Sequence, residues 1–511
     1  MRPHGFGPAA LLLAVLHAGP ACAQEPAPPP PAPPAADEPL RLSVADCVTM
    51  ALNANRNVQK AYLQRTSQRM DLRVAEHQFA PQGLLTAGVD AMHLRTGEPP
   101  GTTHSESGGL TITQQLPTGG AFGFSWNGNA TGAPGPSGVS STSSWRLSAV
   151  QPLLRGGGTT VGTAALTLAR IGESGNVLQL KGTLMSIVTS VILAFRQLVL
   201  AERDVAIRES ALERARQLLD VNKALIDAGR MAPMELVQAQ ADIASRELGL
   251  VTGRNALENA RLALLQLLTL DKTTRVALVE ETGEGDRPPG IEEALAIAFR
   301  ERPDYQQALL SEQAAVRNLA VARNGRLPDL SLEGGLTRGA SGAAFWDTVL
   351  EGEPLNVLRS DWYAGLTLSI PLNDLTRKQA WVSAGVSLES TRLDLLDKRD
   401  ALETEVRNAV RTADVARRQL EIARLSLSLT AKKLEIEQEK LRTGRSSNFQ
   451  VVNFQNDLVS AQTTELSALI DYRNALTSLD LALGTTLATW QIEVREQDEI
   501  PPGRPGAEAK R

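Results

Sequence analysis

The residues of this 511-residue chain that could do chemistry are few. Gly156-Gly157-Gly158-Thr159 precedes a helical pattern, where a glycine-rich turn can offer backbone N–H groups to a phosphate. The stretch lacks the G-x-x-x-x-G-K-[ST] spacing and its lysine, so it reads as a flexible strand-to-helix joint. His77, His93 and His104 are separated by strand-like sequence without ligand spacing, which predicts surface positions rather than a zinc site. Two cysteines, Cys22 and Cys47, exclude a disulfide scaffold. Carboxylates are plentiful, yet they recur along helix faces beside Arg and Lys, as solvated flanks do. A net charge of −5 offers no field for a nucleic-acid backbone. The chain is therefore expected to be no enzyme, with no cofactor, no metal and no nucleic-acid partner.

The elements that would carry these residues are unusual. Residues 1–23 have Arg2, then an apolar run from Ala9 to Leu16, then Ala21-Cys22-Ala23, the pattern of a signal peptide cleaved before Gln24. Cys22 also admits a lipidated reading, but Gly19-Pro20-Ala21 lacks the leucine usual three residues ahead of such a cysteine. Residues 24–41 are a Pro/Ala-rich tether. Beyond it, proline is absent between Pro152 and Pro233 and between Pro371 and Pro501, and such gaps permit very long helices. Val177, Leu180, Leu184, Ile187, Val191, Ala194 and Leu198 keep the 3-4 spacing of a coiled-coil seam. Ala461, Ala468, Ala475 and Ala482 recur every seven residues and allow close helix approach. Apolar residues are 42% of the chain while aromatics are 4%, so alanine and leucine on helices carry the burial.

Between these tracts the period changes to two. No charge occurs from Ser107 to Trp145, where Leu110-Thr-Ile112-Thr and Phe122-Gly-Phe124-Ser-Trp126 alternate. Leu330 to Leu336 and Trp362 to Ile370 alternate likewise, and nine to eleven tilted residues suffice to cross a bilayer as a strand. The chain also repeats. At an offset of 247, Ala51, Ala61, Ala75, Pro81 and Gly88 match Ala298, Ala308, Ala322, Pro328 and Gly335. Gln151-Pro152-Leu153 resembles Ile370-Pro371-Leu372, and Gly229 matches Gly444 at an offset of 215, followed by Val237/Val452, Gln240/Gln455 and Asp242/Asp457. Each half reads helix, strands, very long helix, glycine turn, long helix: an α-β-α-α unit over 42–282 and again over 283–484, with 485–511 as a tail.

This ordered set, with Gln151 to Gly156, the AGR and TGR turns and Asp471-Tyr472-Arg473-Asn474-Ala475, resembles the TolC family of outer membrane efflux proteins over 42–484. The resemblance implies a mainly α fold with transmembrane β: a homotrimer sharing an outer-membrane β-barrel above a periplasmic α-helical barrel of coiled-coil helices. It implies a passive exit duct for a tripartite efflux pump or type I secretion system, docked by a periplasmic membrane-fusion adaptor and energised by an inner-membrane pump or ABC transporter. Four strands per chain would give a twelve-stranded barrel closed against outer-membrane lipid. Pro117-Thr-Gly119-Gly120 departs from that pattern and suggests an added hairpin, either in the barrel or outside it, with 131–144 as an extracellular tip. A periplasmic coiled-coil adaptor or structural tether is the alternative.

The resemblance also places the periplasmic entrance at the turns near 227–238 and 442–457. Gln450 and Asn453 stand where relatives often carry acidic pore residues, which puts a charged ring in doubt, and Asp457 lies one turn beyond. Glu235 matches an acidic latch residue, with Arg445 as its nearest cation and Arg230 and Arg442 as alternatives. Gly229, Arg230, Met231, Met234, Gly444 and Phe449 are the candidates for adaptor contact at the turns.

Overall fold

The computed structural model describes residues 39–94, 101–132, 139–229, 232–279, 287–342, 361–443 and 445–493. The expected signal peptide, the tether up to residue 38 and the tail past 493 lie outside the described residues. The first half opens with β1 (Leu40–Leu42), α1 (Val44–Ala54) and α2 (Arg56–His77). Four strands follow, β2 (Gln82–Leu94), β3 (Gly101–Gln115), β4 (Ala121–Gly132) and β5 (Val139–Pro152). Then come the short α3 (Thr159–Gly162), the 64-residue α4 (Ala164–Asp227) and α5 (Glu235–Leu268). The second half has β6 (Val276–Leu278), α6 (Ile291–Glu301), α7 (Pro303–Asn324), β7 (Asp329–Gly342) and β8 (Asp361–Ser369). It ends in the 68-residue α8 (Leu375–Arg442), α9 (Asn448–Leu483) and the short α10 (Thr486–Thr489). At 1.5 Å per residue, α4 and α8 are each about 100 Å long.

The duplication is residue-exact in its helix breaks. At the offset of 247, α1 and α2 fall on α6 and α7, and the break at Asn55 falls on Arg302. Both break residues do one job with different chemistry. Asn55 donates its amide to the Leu267 carbonyl at the end of α5 (2.8 Å), and Arg302 donates to the Ala482 carbonyl at the end of α9 (3.1 Å). Leu267 and Ala482 are themselves equivalent at the offset of 215. Each contact satisfies a terminal carbonyl that the helix cannot. Both helices then turn through a left-handed residue, Thr269 at φ 58° and Gly484 at φ 83°. A Cβ on Gly484 would lie 2.8 Å from the Glu301 carbonyl, so the second repeat admits only glycine there.

The helices pack as their sequence period requires. Leu180, Leu184, Val191 and Leu198 of the α4 seam are buried in a first core with α1, Leu264 and Leu268. This apolar stretch of α4 is long enough to cross a membrane by composition, but most of it is covered by protein. Cys47 sits in the same core, and burial pushes its thiol up to about 12, which makes it inert. Leu487 is buried there too, so the segment after α9 folds back onto the first repeat. A second core joins α6, α8 and α9 through Leu402, Val406, Val410, Tyr472 and Leu479.

The strands form one antiparallel sheet in the order β2-β3-β4-β5-β7-β8. This corrects the expected four strands per chain: the hairpin at Pro117 is inserted into the sheet as β3 and β4, and the wall has six. It also shortens the expected tip, because 131–132 complete β4 and 139–144 begin β5. Register gives the sheet two faces. One row runs Ile112, Phe124, Leu147, Leu336, Trp362, and the row behind it runs Thr111, Ser125, Arg146, Thr337, Asp361. Across these rows one face is apolar and the other polar, although Glu106 and Arg338 fall on the first face and Leu84 and Tyr363 on the second.

Charge ties the second repeat together below the sheet. Arg302 holds Asp304 through two hydrogen bonds (2.9 and 2.8 Å) and Glu405 of α8 through two more (2.7 and 3.0 Å), while Lys398 reaches Asp304 at 2.7 Å. The Arg302 guanidinium, helped by Lys398, holds the Asp304 carboxyl well below the usual carboxylate range. A carboxyl depressed on folding stabilises above its unfolded pKa and loses that stabilisation as pH falls. Asp304→Asn should therefore lower the melting temperature of detergent-solubilised protein at pH 7. The gap from wild type should narrow progressively once pH drops below about 4, where the unfolded aspartate protonates. A gap that stays constant down to pH 2 would show that charge is not its cause.

Candidate functional site at the helical tips

The two long hairpins, α4–α5 and α8–α9, end in turns at the far end of the helices from the sheet. The turns are shorter than the sequence suggests. α5 begins at Glu235 and α9 at Asn448, so Gln450, Asn453 and Asp457 all lie on the first three turns of α9. Arg230, Met231 and Gly444 lie outside the described residues. Gly229 follows α4 at φ 68° and donates to the Ile226 carbonyl (2.9 Å), as a helix C-cap glycine does.

Glu235 is half-buried as the first residue of α5, and its Oε2 is buried without a hydrogen-bond partner among the described residues. Arg445 is exposed, and no ion pair joins the two inside one chain among the described residues. Arg442 contacts Glu439 of its own helix at 3.5 Å. Gln450 is exposed and donates its backbone N–H to the Ser447 cap, and Asn453 is half-buried. Asp457 pairs with Lys433 of α8 at 3.3 Å, and that ammonium also sits 3.9 Å over the Phe454 ring. Met234 is 76% exposed and Phe449 56% exposed, so both apolar tips stand in solvent on a single chain.

Three polar links at the tips are not visible as motifs. Asn222 of α4 is fully buried and donates to the Asn448 Oδ1 (2.9 Å), joining the two hairpins. Arg246 of α5 pairs with Asp242 (2.6 Å) and reaches Asn456 of α9 (3.0 Å). Glu437 accepts from the Ser446 hydroxyl (2.6 Å) and from Lys440 (3.0 Å), fixing the α8–α9 turn. The signal for the first was present: Ala211, Ala215, Leu218 and Asn222 continue the 4-3-4 seam, and a lone amide at a seam position fixes register at a cost in stability.

Residues 294–485 match the family model described as outer membrane efflux protein. Among solved structures, the chain resembles the CmeC outer membrane channel of Campylobacter jejuni at a TM-score of 0.65 and 18% identity, over 87% of this chain and 86% of that one. It resembles CusC at a TM-score of 0.66 and 18% identity, over 86% of this chain and 92% of that one. The fold is TolC-like. The resemblance read from the sequence therefore holds: the efflux-protein match lies within the second half, and the solved channels extend the TolC-like architecture across both. Nodulation protein T of Rhizobium leguminosarum bv. trifolii is 21% identical over 297 residues, which span 56% of this chain and only 60% of that relative.

In this TolC-like chain the Asn222–Asn448 pair leaves Asn222 Oδ1 and Asn448 Nδ2 without partners. Replacing either residue by leucine would strand the other amide entirely, at about 1–3 kcal/mol. Asn222→Leu and Asn448→Leu should each lower the denaturant midpoint, and the double variant should recover most of the loss. A double variant as unstable as the sum of the singles would show that the two amides are not coupled.

Proposed function

We propose that three copies of this chain form a passive outer-membrane channel, the exit duct of a tripartite efflux pump or type I secretion system. The observation that carries the reading is the pairing of a two-faced, open-edged sheet with hairpins about 100 Å tall. The sheet's apolar face suits outer-membrane lipid, and its polar face suits a water-filled lumen. The helices extend from it into the periplasm. Ion pairs and apolar seams hold them, and no chemistry in them supplies energy, so transport is driven by an inner-membrane partner. The exposed Met234 and Phe449 tips are the surface offered to a periplasmic adaptor. A coiled-coil adaptor is disfavoured, because it needs one helical hairpin and soluble β domains, whereas this chain has two hairpins and a membrane-type sheet.

The entrance is held by a Glu235–Arg445 link between hairpins. Its support is the buried Glu235 Oε2, a carboxylate oxygen with no hydrogen-bond partner among the described residues. Gln450 and Asn453 narrow the entrance with amides and bring no charge to it.

Fractionation tests the channel reading. The mature protein should resist extraction from membranes by salt and alkali and migrate as a heat-sensitive trimer; release by alkali alone would sink it. Single-channel recording tests the latch. Arg445→Ala should raise conductance, and an unchanged conductance and entrance size would eliminate Glu235–Arg445 as the gate.

A further inference from the structure

The inserted β3–β4 hairpin has the same two faces as its neighbours. Its apolar side carries Leu110, Ile112, Phe122, Phe124 and Trp126, with Gln114 beside the turn and His104 and Glu106 toward the far end of β3. Its other side carries only uncharged groups: Ser107, Gly109, Thr111 and Thr113 on β3, and Ser125, Asn127 and Asn129 among those on β4. Phe124 is in register with Leu147 of β5 and, through it, with Leu336 of β7. A flap lying outside the barrel would have no reason to continue that lipid-facing row.

The hairpin's turn is also seated. Gly158 donates to the Thr118 carbonyl (3.0 Å), and the Thr118 hydroxyl donates to Gln151 Oε1 (2.7 Å). The backbone of 117–119 lies so close to the strand-to-helix corner that a Cβ on Gly162 would fall 2.3 Å from the Pro117 carbonyl oxygen. A Cβ on Gly119 would fall 1.9 Å from that of Gly156, and both of these residues have positive φ, 86° and 77°. Gly156 and Gly162 therefore pack closely against this turn, whereas a Cβ on Gly158 would meet open space. The joint that the sequence marks as flexible is held against the hairpin at those two glycines.

The sheet's free edges are β2 and β8, which run in opposite directions because five antiparallel pairings separate them. All nine residues of β8 are exposed. The chain contains a template for how two such edges meet. β5, the last strand of the first half, pairs antiparallel with β7, the first strand of the second, with Pro152 opposite Ser331. By the duplication, β2 corresponds to β7 at the offset of 247, and Pro371 corresponds to Pro152. Carrying the register over sets Leu366 opposite Val89, Leu368 opposite Ala87 and Gly365 opposite Asp90. Leu366 and Val89 both belong to the apolar face, so the transferred register joins lipid side to lipid side and lumen side to lumen side.

We propose that three copies close an eighteen-stranded barrel, β8 of each pairing with β2 of the next, with β3 and β4 as part of its wall. This rests on the trimeric outer-membrane reading and sharpens it. Because barrel diameter grows roughly linearly with strand number, the outer-membrane section is about 1.5 times as wide as a twelve-stranded one. Its added wall is neutral and rich in hydroxyl and amide groups. The cargo class this suits is a bulky hydrated solute, with no charge selection exerted by that part of the lumen.

Cysteine pairs in the full-length protein, reconstituted in liposomes, test both parts; native Cys47 is buried and stays silent. Asp90→Cys combined with Gly365→Cys should give covalent trimers on oxidation, whereas Asp90→Cys with Ala364→Cys, on opposite faces, should not. Ser125→Cys should react with a membrane-impermeant maleimide, and Phe124→Cys should react only with a lipid-soluble one. Equal labelling of Ser125→Cys and Phe124→Cys by the impermeant reagent would place the hairpin outside the wall and overturn the eighteen-stranded barrel while leaving the trimer intact. A heat-sensitive trimer with no Asp90–Gly365 cross-link would overturn the closing register. Protein that is released by alkali and forms no trimer at all would instead defeat the channel reading beneath it.

Discussion

A sheet edge cannot be left open in hydrocarbon. Each unpaired N–H or C=O there costs several kcal/mol, because no water is present to take the hydrogen bond. The six-stranded sheet of this chain has two such edges, β2 and β8, and a face of Leu, Phe and Trp side chains with no protein cover. Water satisfies the edges but not the apolar face, and lipid satisfies the face but not the edges, so neither medium suits a single chain on both counts. The same holds for the helices, where Ile422, Leu425, Leu429 and Ile436 of α8 stand more than half exposed. The proposed assembly answers both, because further copies would pair the edges and cover the stripes.

Duplication supplies the solution cheaply, because one junction serves twice. The contact between β5 and β7 inside the chain is the kind of contact that β8 and β2 need between chains. What the duplication preserves is geometry rather than residue identity. Asn55 and Arg302 bind equivalent carbonyls with different groups, and Thr269 and Gly484 turn equivalent helix ends at different steric cost. Arg302 also recruits Asp304 and Glu405, an ion cluster that the first repeat does not need at Asn55. At these positions the fold constrains where a hydrogen bond is delivered rather than which side chain delivers it.

This explains which parts of the molecule the sequence discloses. The α4 seam and the 247-residue offset are legible because packing repeats a residue type at a fixed spacing, and Leu180, Leu184 and Val191 are buried where that spacing puts them. The hairpin at Pro117 is visible as strand-like sequence, yet its place in the sheet is not. Alternation gives two faces to any strand and says nothing about which neighbour it pairs with. That information lies in the turn, in the contact of residues 117–119 with Gly156 and Gly162, which is long-range and leaves only a run of glycines behind. At the tips the difficulty differs. Glu235 and Arg445 attract notice by charge, whereas Asn222 and Asn448 are ordinary amides whose role depends on burial between hairpins, and Glu437 acts through its buried contact with its own turn.

The join between sheet and helices gives a separate physical check on strand number. At the upper level each copy contributes α2, α4, α7 and α8 side by side, and at the lower level α5, α4, α9 and α8. In the proposed trimer, twelve helices at 8–10 Å between axes would make a ring of roughly 100–120 Å circumference. Strands about 4.8 Å apart and tilted near 40° each occupy roughly 6.3 Å of circumference. Twelve of them would make a ring of only about 75 Å and force a taper at the junction, whereas eighteen make about 113 Å, within the range set by the helices. In the proposed trimer the inserted hairpin would therefore let the wall pass from helix to strand with little change in bore. Its turn sits at that transition, against Gly156 and Gly162, where the two rings must match.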